Sequence, residues 1–154
     1  MGEFAVGQSV RREEDPRFLV GNGEFLDDVN LLDQAWGYVL RSPHAKADIL
    51  SIDTTEAEKA PGVLRVLTGP DWAAENYGDL PCEDATKRKR DGTAMYHPPY
   101  PALVADQVKL VGDYVAFVVA ETQLQARDAA ELIRVDYHPL PAVTDPEGAI
   151  AEDA

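Results

Sequence analysis

The sequence is short of the residues that build self-contained chemical sites. It has one cysteine, Cys82, and three histidines in 154 residues. One cysteine excludes an internal disulfide and a cysteine-rich metal site, and it fits a reducing compartment. None of His44, His97 and His138 stands three or four residues from another His or Cys, so no zinc spacing exists. No apolar run approaches the roughly 20 residues of a membrane helix. Residues 1–10 lack a basic stretch leading into an apolar one, so no secretory leader is expected and a cytoplasmic location is. Cations are scarce too: 14 Lys and Arg face 28 Asp and Glu, a net charge of −14. An acidic surface of this kind repels phosphate and argues against nucleic acid as a partner.

What is present is a good core. The hydrophobic fraction is 45%, and the length suits one ordinary domain. Residues 1–30 read as an extended arm, rich in charge and glycine with few apolar anchors, with one short strand near residues 24–26. Residues 36–41 read as a strand, Ser42-Pro43-His44 as a turn, and residues 47–52 as a second strand, buried on both faces at its end; the two suggest a hairpin. Asp53, with Glu56 three residues on, starts a short helix that Pro61-Gly62 ends. Residues 63–67 return as a strand. Residues 68–105 hold Pro70, Pro81, Pro98, Pro99 and Pro101 and keep no period. They read as a long surface excursion with one helical turn at residues 70–74, of the length that is usually functional or mobile.

Residues 108–111 lead through Gly112-Asp113 into residues 114–120, a nearly continuous apolar run that predicts the most buried strand. Thr122 caps the next helix with Gln125 at the reciprocal position. Ala126, Ala129, Ala130 and Ile133 share one face of it. Residues 133–137 alternate as a last strand, and residues 146–154 read as an acidic tail or linker. The order describes two ββαβ-like units separated by the excursion. It predicts an α+β domain with a small mixed sheet and two main helices, spanning residues 31–145.

No complete catalytic set emerges. The pairs Glu13-Glu14 and Asp27-Asp28 are expected by chance in so acidic a chain, and neighbours on a strand point to opposite faces. His44 reads as a turn or packing residue. His97 and His138 each precede a proline and read at most as contacts. Cys82 lies beside Glu83 and Asp84, which raise a thiol pKa and so oppose a nucleophilic role. The basic run Lys87-Arg88-Lys89-Arg90, flanked by Glu83, Asp84 and Asp91, reads as a solvated loop face. Gly21-Asn22-Gly23 opens no helix with a third glycine and fails the dinucleotide fingerprint. The expectation is that catalytic, cofactor-binding and metal residues are all absent, and that the chain works beside something else.

Several segments in order carry a resemblance: Gly7-Gln8-Ser9-Val10-Arg11-Arg12, Gly21-Asn22-Gly23-Glu24-Phe25, Arg41-Ser42-Pro43-His44-Ala45, Pro61-Gly62-Val63, Val111-Gly112-Asp113, Asp128-Ala129-Ala130-Glu131, and Val135-Asp136-Tyr137 with Leu140-Pro141-Ala142-Val143. Together they resemble the N-terminal a/b hammerhead domain of molybdenum hydroxylase large chains, the xanthine dehydrogenase, aldehyde oxidase and aerobic carbon monoxide dehydrogenase family. The segment from His97 to Leu103 looks most like the bacterial carbon monoxide dehydrogenase branch. His138 departs from a usual acidic residue and Lys46 from a common histidine.

The resemblance implies a parent enzyme with a molybdopterin-type molybdenum cofactor, and with iron–sulfur clusters and FAD on partner chains. Cofactor loops and the catalytic glutamate belong to later domains, so no catalytic residue carries over to this sequence. The implied role is structural: an assembly domain, an N-terminal fragment of the large subunit, contacting the remaining molybdenum-binding domains and the iron–sulfur or flavin subunits. The alternative is a free-standing protein-binding module or separately encoded subunit that uses residues 68–105.

Overall fold

The computed structural model describes residues 11–81 and 87–150. The chain divides into two compact units, Met1–Gln34 and Ala35–Ala154. In the first, α1 (Asp15–Leu19) places Pro16 in its first turn, where the missing N–H costs nothing. A 3-10 turn, Leu26–Asp28, follows. The carboxylate of Asp28 accepts the Phe25 N–H at 3.0 Å, and this local bond closes a turn where the sequence suggested a strand at residues 24–26. The segment is also more apolar on its surface than its composition suggested. Leu19, Phe25, Leu26, Leu31 and Leu32 are between 70 and 94% exposed.

The second unit holds β1 (Trp36–Arg41), β2 (Ala47–Asp53), α2 (Thr55–Glu58), β3 (Val63–Thr68), α3 (Gly69–Ala74), β4 (Gln107–Val108), β5 (Tyr114–Ala120), α4 (Gln123–Leu132), β6 (Arg134–Pro139) and α5 (Pro146–Ala149). The α+β class holds. The strands, however, divide between two three-stranded sheets, β1-β5-β3 and β4-β2-β6, and every pairing is antiparallel. They do not form one mixed sheet. β1 and β2 are therefore not a hairpin. β1 pairs with β5, Tyr38 opposite Val118, and β2 pairs with β6, Ile52 opposite Val135. The bend after β1 sends the chain from one sheet to the other because Ser42 bonds to the turn before β5, not to β2. β2 is buried at its first residue, Ala47, and not at its end.

β5 is the central strand of its sheet, and its alternation sorts the core. Ala116 and Val118 face Ala57 of α2, Val66 of β3 and Ala129 and Ala130 of α4. Val115 belongs to a second cluster with Ala47 of β2 and Val108 of β4. Ile52 and Val135 pack on both clusters and so join the sheets. Ala126, Ala129, Ala130 and Ile133 are all buried; small side chains let α4 lie close on β1 and β5. Thr122 caps α4 as the pattern required, its oxygen accepting the Gln125 N–H at 3.2 Å.

The start of α2 is one residue later than the sequence suggested: Thr54 is the cap residue, and Asp53 accepts the Thr55 N–H at 3.0 Å. Residues 145–149 form a capped turn of helix, with Asp145 accepting the Gly148 N–H at 2.7 Å.

Candidate functional site

Ser42, His44, Asp113 and Arg41 come together at one corner, where the bend after β1 meets the turn before β5. Ser42 is 2% exposed and Asp113 7% exposed. The Ser42 N–H donates to the Asp113 carbonyl at 2.8 Å, and the Gly112 N–H donates to the Ser42 carbonyl at 2.9 Å. Arg41 donates to the Gly112 carbonyl at 3.3 Å and lies 4.4 Å over the Tyr114 ring. The ring of His44 meets Tyr137 edge-on at 4.8 Å.

A serine, a histidine and an aspartate thus share a neighbourhood, but the Ser42 hydroxyl and the Asp113 carboxylate bond to main-chain groups, and Ser42 also reaches Tyr137. The Ser42 hydroxyl accepts the His44 N–H at 3.0 Å and donates to the His44 carbonyl at 3.2 Å. One Asp113 oxygen accepts the Lys109 and Leu110 N–H groups at 2.6 and 3.1 Å. An activated nucleophile needs a base within hydrogen-bond reach of its hydroxyl; here that reach is taken by backbone. Burial raises the Tyr137 pKa above its ordinary value, with the Ser42 hydrogen bond working the other way. The corner is a clasp that fixes the crossing between the two sheets.

Among the described residues, no group of three or more His, Cys, Asp and Glu could hold a metal ion, and no buried side-chain nitrogen or oxygen lacks a hydrogen bond. The described residues thus present a molybdenum–pterin group with neither an orphaned buried polar side chain nor a cluster of ligands. His138 is exposed on β6, opposite Asp48. Glu14 accepts from Arg12 at 3.3 Å, and Asp28 accepts the Phe25 N–H in its own turn. Cys82, Glu83 and Asp84 lie outside the described residues, as do residues 7–10 of the first resembling segment.

The excursion has more order than its lack of period suggested. It begins with α3, as the sequence indicated, where Asp71 accepts the Thr68 N–H and hydroxyl at 2.8 and 2.6 Å. Both hydrogen bonds hold the Asp71 pKa below its ordinary value. It ends with buried Leu103 and a Val104 N–H bond to the Tyr114 carbonyl at 2.8 Å. Between them, antiparallel bridges pair Asp79 with Pro101 and Arg88 with Ala94. The Leu80 N–H donates to the Tyr100 carbonyl at 2.8 Å. The Arg88–Ala94 bridge closes a short turn at Asp91-Gly92, where the Gly92 N–H donates to the Lys89 carbonyl at 2.9 Å. A groove of about 570 Å³ is lined by Leu80, Pro98, Pro99, Tyr100, Leu110 and Tyr114 among others. The available signal was the Asp91-Gly92 dipeptide, a common hairpin turn, masked in the sequence by the prolines around it.

Residues 20–141 match the family described as aldehyde oxidase and xanthine dehydrogenase, a/b hammerhead domain, and the chain belongs to that family. It is 38% identical over 149 residues to the carbon monoxide dehydrogenase large chain of Afipia carboxidovorans, covering 97% of this chain and 17% of that one. It is 34% identical over 142 residues to the putative xanthine dehydrogenase molybdenum-binding subunit of Escherichia coli, covering 88% and 17%. Among solved structures, the CO dehydrogenase from Oligotropha carboxidovorans superposes with a TM-score of 0.81 at 38% identity, covering 96% of this chain and 17% of that one. Quinoline 2-oxidoreductase from Pseudomonas putida gives 0.79 at 38% identity, covering 97% and 18%. The chain therefore spans 17 to 18% of the length of these relatives, and aligns to one domain of the large chain of molybdenum-dependent oxidoreductases.

Proposed function

We propose that this chain serves as a structural and assembly domain of the large subunit of a molybdenum hydroxylase, and that it contributes no catalytic, cofactor-binding or metal-ligating residue. The observation that carries this reading is the set of large apolar side chains held out to solvent at Leu19, Phe25, Leu26, Leu31 and Leu32. Fully burying one such side chain stabilises by about 1.5–3 kcal/mol, and exposed apolar patches of this kind mark interaction sites. Residues 1–30 act as an arm against the remaining molybdenum-binding domains or the iron–sulfur subunit, residues 31–145 as the hammerhead body, and residues 146–154 as the link onward.

The molybdopterin-type cofactor, where bound, supplies the metal centre at which a substrate carbon is hydroxylated. The described residues of this chain do not fit it, so its binding is assigned to the remainder of the large subunit, and iron–sulfur and flavin groups to partner chains. The relatives above come from bacteria, which supports a bacterial, cytoplasmic enzyme. No helix among the described residues is long and apolar enough to cross a membrane.

The test is deletion of residues 7–28 from the complete large subunit. The expected outcome is loss of the assembled complex on size-exclusion chromatography while the remaining hammerhead keeps its circular dichroism. Unchanged subunit stoichiometry and unchanged activity overturn the assembly role.

A further inference from the structure

Two neighbouring grooves share one wall. The first, about 570 Å³, takes in Tyr100 and Tyr114, and the second, about 610 Å³, takes in Val111 and Val143; Gln107, Lys109 and Leu110 line both. Leu110 is 48%, Val111 64% and Val143 49% exposed. Local bonds hold the shared wall in place. Val108 pairs with Ala47, Gln107 donates to the Asp48 carboxylate at 2.8 Å, and Asp113 accepts the Lys109 and Leu110 N–H groups. Gly112 turns the chain at a φ of 93°. None of these bonds uses the side chains of Leu110 or Val111. Turns favour Gly, Pro, Asn, Asp and Ser for the geometry they supply, and an aliphatic pair supplies none of it. Exposed apolar surface continuous over two grooves marks an interaction site.

The far wall of the second groove lies near the end of the described chain. Ala142, Val143, Thr144 and Ala149 line it. The Leu140 N–H ties this stretch to the Lys46 carbonyl at 2.9 Å, and Asp145 caps its last helical turn. Lys46 and Lys109 line the same groove. Carboxylates outnumber cations 28 to 14 in this chain, yet neither lysine makes an ion pair among the described residues.

We propose that the double groove is the docking face for polypeptide that continues the large chain after residue 154. That polypeptide lays apolar side chains against Leu110, Val111 and Val143 and brings a carboxylate to Lys46 and Lys109. This rests on the reading of the chain as one domain of a longer subunit, and it adds a face on the hammerhead body to the arm of residues 1–30. Two observations favour this occupant. The chain spans 17 to 18% of its relatives' length, so most of such a chain lies outside this domain. A continuation starts within a few residues of the groove wall, so its docking is intramolecular and avoids most of the freedom that a separate chain loses on association. A second copy carries the same net −14 and is repelled at long range.

The experiment uses the complete large subunit in its native complex. A carbodiimide joins an ammonium group to a carboxylate that touches it, and mass spectrometry reads the joined peptides. The expected product links Lys46 or Lys109 to an Asp or Glu beyond residue 154 of the same chain. In a second measurement a protease site is inserted after Ala154, in the parent and in a Leu110→Ser, Val111→Ser variant. After cleavage the hammerhead should leave the remainder about tenfold faster in the variant, with the circular dichroism of the released domain unchanged. If that variant does not fold, the cross-link in the unaltered protein decides.

Coupling of both lysines only within residues 1–154, to another subunit, or to an isotopically marked second copy overturns the proposal. So do the absence of any coupled product and equal rates of release from parent and variant. The two readings fail separately. The expected cross-link in a complex without molybdenum keeps the docking face and removes the enzyme assignment. A molybdenum enzyme that falls apart on deletion of residues 7–28, with both lysines coupled elsewhere, does the reverse.

Discussion

Replacing Gly69 by alanine sets two physical arguments against each other. Gly69 opens α3, and alanine in a helix is favoured over glycine by about 0.5–1 kcal/mol. Propensity alone therefore predicts a more stable protein. The structure predicts the reverse. A Cβ at Gly69 would overlap the carbonyl group of Val104 and come 2.5 Å from the Cα of Ala105, where carbon atoms rest about 3.5–4 Å apart. Overpacking costs about 1–3 kcal/mol, and the obstacle is main chain, which cannot rotate away, so the upper end applies.

The difference is a net loss of about 2 kcal/mol. One kcal/mol moves the Tm of a domain of this size by about 4 °C, so the variant should melt about 8 °C lower, with its urea midpoint lowered and its slope kept. Gly78→Ala is the control: φ there is 79° with nothing within 4 Å of the added carbon, so only the left-handed conformation is penalised, by about 1–2 kcal/mol. A Gly69→Ala protein that melts at or above the parent refutes the close approach that pins the far end of the excursion to its near end.

Three further outcomes follow from the same structure. Val118→Asp places a charge at a fully buried position of the central strand; several kcal/mol of desolvation is the size of the whole stability, and the variant should be recovered unfolded by circular dichroism. Thr122→Ala removes only the cap of α4 and should lower stability by about 1 kcal/mol in urea titration; a loss above about 3 kcal/mol would mean the hydroxyl does more than cap. The Asp71 pKa is held below 3.8 by Thr68, so its contribution is present above the unfolded pKa and lost as pH falls through the folded one. Stability of the parent should therefore fall below about pH 4 more steeply than that of Asp71→Asn, as read by urea midpoints across that range.

How much of this could be read beforehand depended on where the determining partner lies. β5 and α4 were legible because their signals are local: an apolar run of seven residues, and alanines at helical spacing behind a Thr122 and Gln125 cap. α3 was legible from Pro70 after Thr68. The assignment of β1 and β2 to a hairpin failed because proximity in sequence competes with a bond that no window contains. Ser42 finds its partner at Asp113, and Arg41 finds its own at Gly112, 71 residues on. The clasp was therefore present as two short segments, Arg41-Ser42-Pro43-His44 and Val111-Gly112-Asp113, with no indication that they touch. Residue type alone offered a serine, a histidine and an aspartate; only geometry shows the serine and the aspartate bonded to backbone.

The exposed apolar residues of the first unit were missed for a different reason. Periodicity reports a face when the surface it packs on repeats with the element, as β5 and α4 do for each other. Leu19, Phe25, Leu26, Leu31 and Leu32 follow neither a 3.6 nor a 2.0 spacing, and α1 and the 3-10 turn bury none of their own residues. Their spacing is set by no surface within that unit, so charge and glycine dominated the reading of residues 1–30. The same holds for the exposed Tyr96 and Tyr100. In a domain that spans 17 to 18% of its relatives' length, the residues that pattern analysis leaves without a role are the first places to look for what the domain assembles with.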